Sequence, residues 1–138
     1  MRSLPLAVLL ASLSSATFAA DAPKVIGTWV PVAFSSAHAG TGGAFPASAK
    51  PTFVKDPAAG WTLTIDSQDG AAFSGMDKGP DGKSGVIAGV FRMDGQRFVL
   101  STVTGAAAGE VIGDQLEICW TDNIPNFIGA MCTVYKRQ

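Results

Sequence analysis

The chain is predicted to be all-β, an eight-stranded antiparallel up-and-down barrel with one mouth carrying long loops. Three observations lead there. Apolar and polar residues alternate over short stretches such as Trp61-Thr62-Leu63-Thr64-Ile65-Asp66 and Gln115 to Thr121, the period of a half-buried strand. Asp69-Gly70, Asp94-Gly95 and Gly113-Asp114 are tight hairpin turns between such stretches. No segment shows a helical period, so consecutive strands are expected to pair with their neighbours and close on themselves, which removes exposed edges.

Residues 1–20 stand apart from this pattern. Arg2, the apolar run from Leu4 to Leu13 and the small residues Ala19 and Ala20 read as a secretory signal peptide, too short for a membrane span. Residues 21–138 are then a single barrel domain, long enough to bury a core. Without Arg2 this domain has nine Lys and Arg against eleven Asp and Glu, a net charge of −2. It offers no basic patch for nucleic acid and no later apolar run of membrane-spanning length. The expected location is exported, periplasmic or secreted.

In order, the first strand is Val25 to Phe34, where Pro31 requires an edge or a bulge. Residues 35–60 are rich in Ala, Gly, Ser and Pro and read as a long lid or Ω-loop. Trp61 to Asp66 is the second strand and Ala71 to Met76 the third. A polar connection at 77–83 precedes Ser84 to Met93, and Gln96 to Thr104 follows the second tight turn. Gly109 to Ile112, Gln115 to Thr121 and Gly129 to Arg137 complete the eight, with connections at 105–108 and 122–128. Tight turns and long connections alternate, so one end is closed and the other is the mouth. Trp61, Trp120, Phe127, Phe45 and His38 belong to the mouth; Trp29 and Arg137 lie toward the closed end.

Cys119 and Cys132 are the only cysteines, and an even count in an exported chain favours a disulfide. If they face each other across the last hairpin, Leu116 opposes Tyr135, Ile118 opposes Thr133 and Trp120 opposes Met131. Those apolar pairs then share the inward face. Two thiols and one distant His do not complete a metal shell, and no metal or cofactor is expected.

Gly27-Thr28-Trp29, opening the first strand, resembles the Gly-x-Trp signature of the calycin superfamily, which contains lipocalins and avidins. The resemblance implies that a basic residue of the last strand packs on that Trp and closes the barrel end, a role Arg137 matches, or else Lys136. The 35–60 stretch is similar to a lipocalin lid; the Trp61 to Ile65 stretch is more similar to avidin. The implied habit is binding of small apolar molecules. A looser resemblance is to calycin-shaped periplasmic protease inhibitors, whose cysteines are placed differently.

Among candidate functional residues, His38 is the only histidine, in a Gly- and Ala-rich stretch with nothing to orient it as a base. Asp77 and Asp81 flank a Gly/Pro loop without the fuller oxygen pattern of a calcium site. Trp61, Trp120, Phe127, Met131, Phe45 and His38 are the expected lining of an apolar pocket in the mouth. The bland alternative is that they simply fill a barrel of this size. Small residues at Ala71, Ala72, Gly75, Ala88 and Gly89 argue for free room inside. The first expectation is therefore an exported binder of a small apolar or aromatic molecule. Its rivals are an interaction module or inhibitor acting through mouth loops such as Ile124 to Ile128, and a cofactor-free isomerase or cyclase, which needs a buried ionisable group. Apolar residues between Val86 and Val103 leave a subunit interface open.

Overall fold

The computed structural model describes residues 21–41, 47–55 and 60–138. The signal-like segment 1–20 and Phe45 lie outside the described residues. The described chain forms nine antiparallel strands: β1 (Gly27–Gly40), β2 (Ser48–Val54), β3 (Thr62–Asp69), β4 (Ala72–Lys78), β5 (Ser84–Phe91), β6 (Arg97–Ser101), β7 (Gly105–Ile112), β8 (Gln115–Ile124) and β9 (Phe127–Arg137). Strands β3 to β9 pair in sequence order, and β1 joins β3 on one side and β9 on the other, closing an eight-stranded up-and-down barrel. Among the described residues no helix is long and apolar enough to cross a membrane.

The 35–60 stretch differs from the expected lid. Ser35 to Gly40 continue β1, and Ser48 to Val54 fold back on it as β2, pairing only with β1. Ala, Ser and Gly have little strand preference of their own, but β9 presents a long backbone edge that Ser35 to Gly40 satisfy residue for residue, from Ser35↔Cys132 to Gly40↔Phe127. Strand β1 thus gives one edge to β9 throughout and passes the other from β3 to β2. Its register shifts between Pro31 and Ala33, the bulge that a proline in a paired strand requires.

The 122–128 connection is also tighter than expected. Strands β8 and β9 run on to Ile124 and Phe127 and are joined by Pro125-Asn126 alone. Asn126 takes φ 65°, a left-handed conformation that Asn tolerates better than most residues. The tip of β1 docks on this turn: Thr41 N donates to Asn126 O at 2.6 Å, and a β-carbon on Gly40 would lie 2.0 Å from that oxygen.

Inside, alternate residues of each strand form one core, including Trp29, Leu63, Ile65, Phe73, Ile87, Phe91, Phe98, Leu116, Ile118 and Tyr135. Phe73, Phe91 and Phe98 make a mutual trio with ring centroids 5.4–5.5 Å apart, mostly edge-on. Neither glycine expected to leave free room does so: a β-carbon on Gly75 would run into Thr64 O at 1.9 Å, and Gly89, like Gly109, makes room for a ring. A β-carbon on Gly89 would sit 2.3 Å from the Phe73 ring, and one on Gly109 2.5 Å from Phe98. Ala71, Ala72 and Ala88 are exposed.

The closed end is plugged by the segment before β1. Val25 is buried; its N–H donates to Gln68 Oε1 at 2.9 Å, while Gln68 Nε2 donates to Pro23 O at 3.0 Å. Trp29 Nε1 donates to Val25 O at 2.9 Å. Arg137 lies over the Trp29 ring, Cζ 4.6 Å from the centroid, and its Nη2 donates to Lys24 O at 2.6 Å. Gly27 takes φ 145°, and a β-carbon there would meet the Arg137 side chain at 3.4 Å. Cys119 and Cys132 are bonded across β8 and β9, and the neighbouring pairs Leu116↔Tyr135, Ile118↔Thr133 and Trp120↔Met131 all bury inward.

Candidate functional site

The other end of the barrel is open. There β3, β5 and β7 begin and β4, β6 and β8 end, so residues at those termini look across the mouth. A cavity of about 360 Å³ lies among them, lined by Trp61, Trp120, Asp77, Asp122, Lys83 and Thr104, with Gly79, Gly85 and Val103 among the remaining wall residues. Below it Trp120 is buried as part of the core. Trp61, half-buried just ahead of β3, forms the rim, its ring edge 4.0 Å from where a β-carbon on Gly79 would stand.

Two carboxylates enter this cavity by strand parity. Along β4, Phe73 and Gly75 are buried and Asp77 is the next residue on that face. Along β8, Leu116, Ile118 and Trp120 are buried and Asp122 continues the series. Both side chains are half-buried. Burial pushes the Asp77 carboxyl above its ordinary 3.8; its own amide and that of Gly85 pull it back, and Asp122 pushes it further up. Neither amide meets Oδ1 in hydrogen-bonding geometry, and that oxygen is shielded from water. Burial also raises Asp122, opposed by the hydroxyl of Thr104, which donates to Oδ1 at 3.3 Å. Beneath them burial drives the Tyr135 phenol to about 12, with the Asp77 charge adding to the rise.

The rim supplies one cation, already engaged. Lys83 Nζ lies 3.1 Å from Asp81 Oδ2, and Lys83 N donates to Asp81 Oδ1 at 3.1 Å. These contacts hold the Asp81 carboxyl below its ordinary range.

The residues expected to share one pocket divide into groups. Trp61 and Trp120 share the cavity. His38 and Phe127, both buried, stack with ring centroids 6.2 Å apart beside the β1–β9 seam. His38 borders a shallower hollow with Pro51, Ile128 and Asp122, and Phe127 one at the hairpin tips with Gly40 and Pro125. Met131 is a core residue opposite Trp120. Asp77 and Asp122 were not expected in the pocket, although extending the inward series of β4 and β8 by one step places them there.

No family model matches this chain, and comparisons with curated proteins and with solved structures also find no match. The mouth cavity therefore rests on its own geometry.

Proposed function

We propose that this protein is an exported, calycin-like binding protein that holds a small apolar or aromatic molecule in the barrel mouth, between Trp61 and Trp120. One observation carries the reading: a cavity of about 360 Å³ with an indole at its floor and another at its rim, above a core packed with side chains. That is the low end of the size range of small-molecule pockets, with flat apolar walls and a few polar handles. The Gly27-Thr28-Trp29 opening, the arginine over that Trp and the one-disulfide barrel support the calycin likeness and the exported setting.

The test is mass spectrometry of protein purified from its native compartment, first under gentle conditions and then denatured. A released small molecule, lost in Trp61→Ala, is the expected result. Trp61 is the residue to change because it is half-buried at the rim, whereas truncating the buried Trp120 would cost about 3–5 kcal/mol of stability. Identical bound masses in wild type and Trp61→Ala would overturn the site.

A further inference from the structure

We infer that the ligand of the mouth cavity carries a positively charged nitrogen, held by the carboxylates of Asp77 and Asp122 against the indoles of Trp61 and Trp120. This deepens the binding proposal and rests on it. The argument begins with charge balance. Three carboxylates, Asp77, Asp81 and Asp122, line the cavity against one ammonium, Lys83. Lys83 is taken by Asp81 at 3.1 Å. Among the described residues neither Asp77 nor Asp122 forms an ion pair.

A fold that draws two carboxylates out of water toward one cavity, with no internal cation, pays in desolvation and mutual repulsion. The amides of Asp77 and Gly85 offset the burial of the Asp77 carboxyl only in part, and its Oδ1, shielded from water, meets no donor in hydrogen-bonding geometry, so the deficit has a definite place. A cation bound between the two acids removes it. Trp faces are the strongest aromatic partners for a cation, and ammonium groups are the ligands such walls recognise. The chemistry favours an organic ammonium over a metal ion. Among the described residues no three His, Cys, Asp or Glu side chains converge to ligate a metal. A cavity of about 360 Å³ also has room for the carbon skeleton of an amine, where a bare ion would need only its first shell.

The test compares three aromatic probes by calorimetry at pH 7: phenethylammonium, its near-isosteric neutral counterpart 2-phenylethanol, and the bulkier, non-titrating benzyltrimethylammonium. Each is measured against wild type, Asp77→Asn/Asp122→Asn and Trp61→Ala. The expected result is that both cations bind at least tenfold more tightly than the alcohol. That preference collapses in the double Asn variant, while Trp61→Ala weakens all three probes. Asn keeps the shape of Asp and removes a buried charge, so the double variant is expected to fold. Equal binding of alcohol and ammonium would overturn the charge inference and leave the binding site standing. Cation binding unchanged in the double Asn variant would do the same. Failure of all three probes to bind wild type would overturn both readings.

Discussion

Asp77 on β4 stands directly across from Gly85 on β5, and the carboxylate occupies the space a side chain at 85 would fill. A β-carbon on Gly85 would lie 2.6 Å from Asp77 Oδ1. The absent side chain is what lets the carboxylate tuck against the sheet, away from water. In Gly85→Ala the carboxylate is expected to swing outward and regain solvent, bringing its pKa back down toward 3.8. An NMR titration of the Asp77 carboxyl carbon checks this; an unchanged midpoint would show that the β-carbon is accommodated some other way.

The raised carboxyl also carries a stability signature. A group whose folded pKa exceeds its unfolded pKa binds protons more tightly when folded, so stability falls as pH rises through the window above 3.8. Asp77 therefore takes up its charge, as pH rises, at a cost to the fold. Asp77→Asn is expected to raise the melting temperature at pH 7, by an amount that shrinks on acidification and disappears near pH 4. Equal melting curves at pH 7 would mean that the Asp77 charge is already compensated.

Cation affinity should follow the same groups with the opposite consequence. Benzyltrimethylammonium does not titrate, so any pH dependence belongs to the protein. The groups facing the cavity are Asp77 on β4, Asp122 on β8, Asp81 and Lys83 in the β4–β5 loop, and Tyr135 below on β9. Asp81 titrates below its ordinary range because Lys83 holds its carboxyl down, and Tyr135 stays neutral until about pH 12. Binding should thus be steady near neutrality and weaken as Asp77 and Asp122 take up protons, at a pH above the usual aspartate range. A flat profile between pH 7 and pH 4 would remove these carboxylates from the site.

Much of this architecture is legible in the sequence, for reasons specific to certain residues. The alternation of Leu116, Ile118 and Trp120 fixes which face of β8 is inward, and the cysteine pair fixes the register of β9. Where the reading stopped short, local composition hid a nonlocal partner. Ser35 to Gly40 resemble loop because the edge that makes them strand belongs to residues nearly a hundred positions later. Asp122 resembles loop because Asn123, Pro125 and Asn126 follow it, although it pairs with Gly105 on β7 and Gly129 on β9; extending the inward series on β8 by one step reaches it and the acidic side of the mouth. Gly89 carries the reverse lesson. Its missing side chain looked like room for a ligand, but the Phe73 ring lies there. Gly89→Ala is expected to cost about 1–3 kcal/mol by displacing that ring, measurable by denaturant unfolding.

The disulfide spans 13 residues and joins two strands that the barrel already pairs along their length. Its contribution therefore comes through the unfolded chain, about 3 kcal/mol in the loop-entropy model. Cys119→Ser/Cys132→Ser should lower the unfolding free energy from denaturant titration by about that amount and leave probe affinity at the mouth unchanged, since Cys119 and Cys132 lie on the face turned away from Trp120. A loss of binding in the folded double Ser variant would show that the outer face of this hairpin controls the mouth.

At the closed end, Arg137 combines two roles that a substitution can separate. Its guanidinium lies over Trp29, worth about 0.5–1 kcal/mol at an exposed site, and it donates to Lys24 O, which ties the plugging segment to the last strand. Arg137→Ala loses both; Arg137→Lys keeps a charge but not the planar fork. The expected order of stability is wild type, Lys, Ala. Amide exchange should speed at Val25, whose N–H is held by Gln68 within the plug. The mouth has its own lining residues, and effects at distant sites without shared partners add independently. Arg137→Ala should therefore bind the cationic probes as wild type does while its melting temperature falls. If affinity dropped with stability, the plug and the mouth would be parts of one cooperative element and the barrel would not be the rigid divider that its packed core implies.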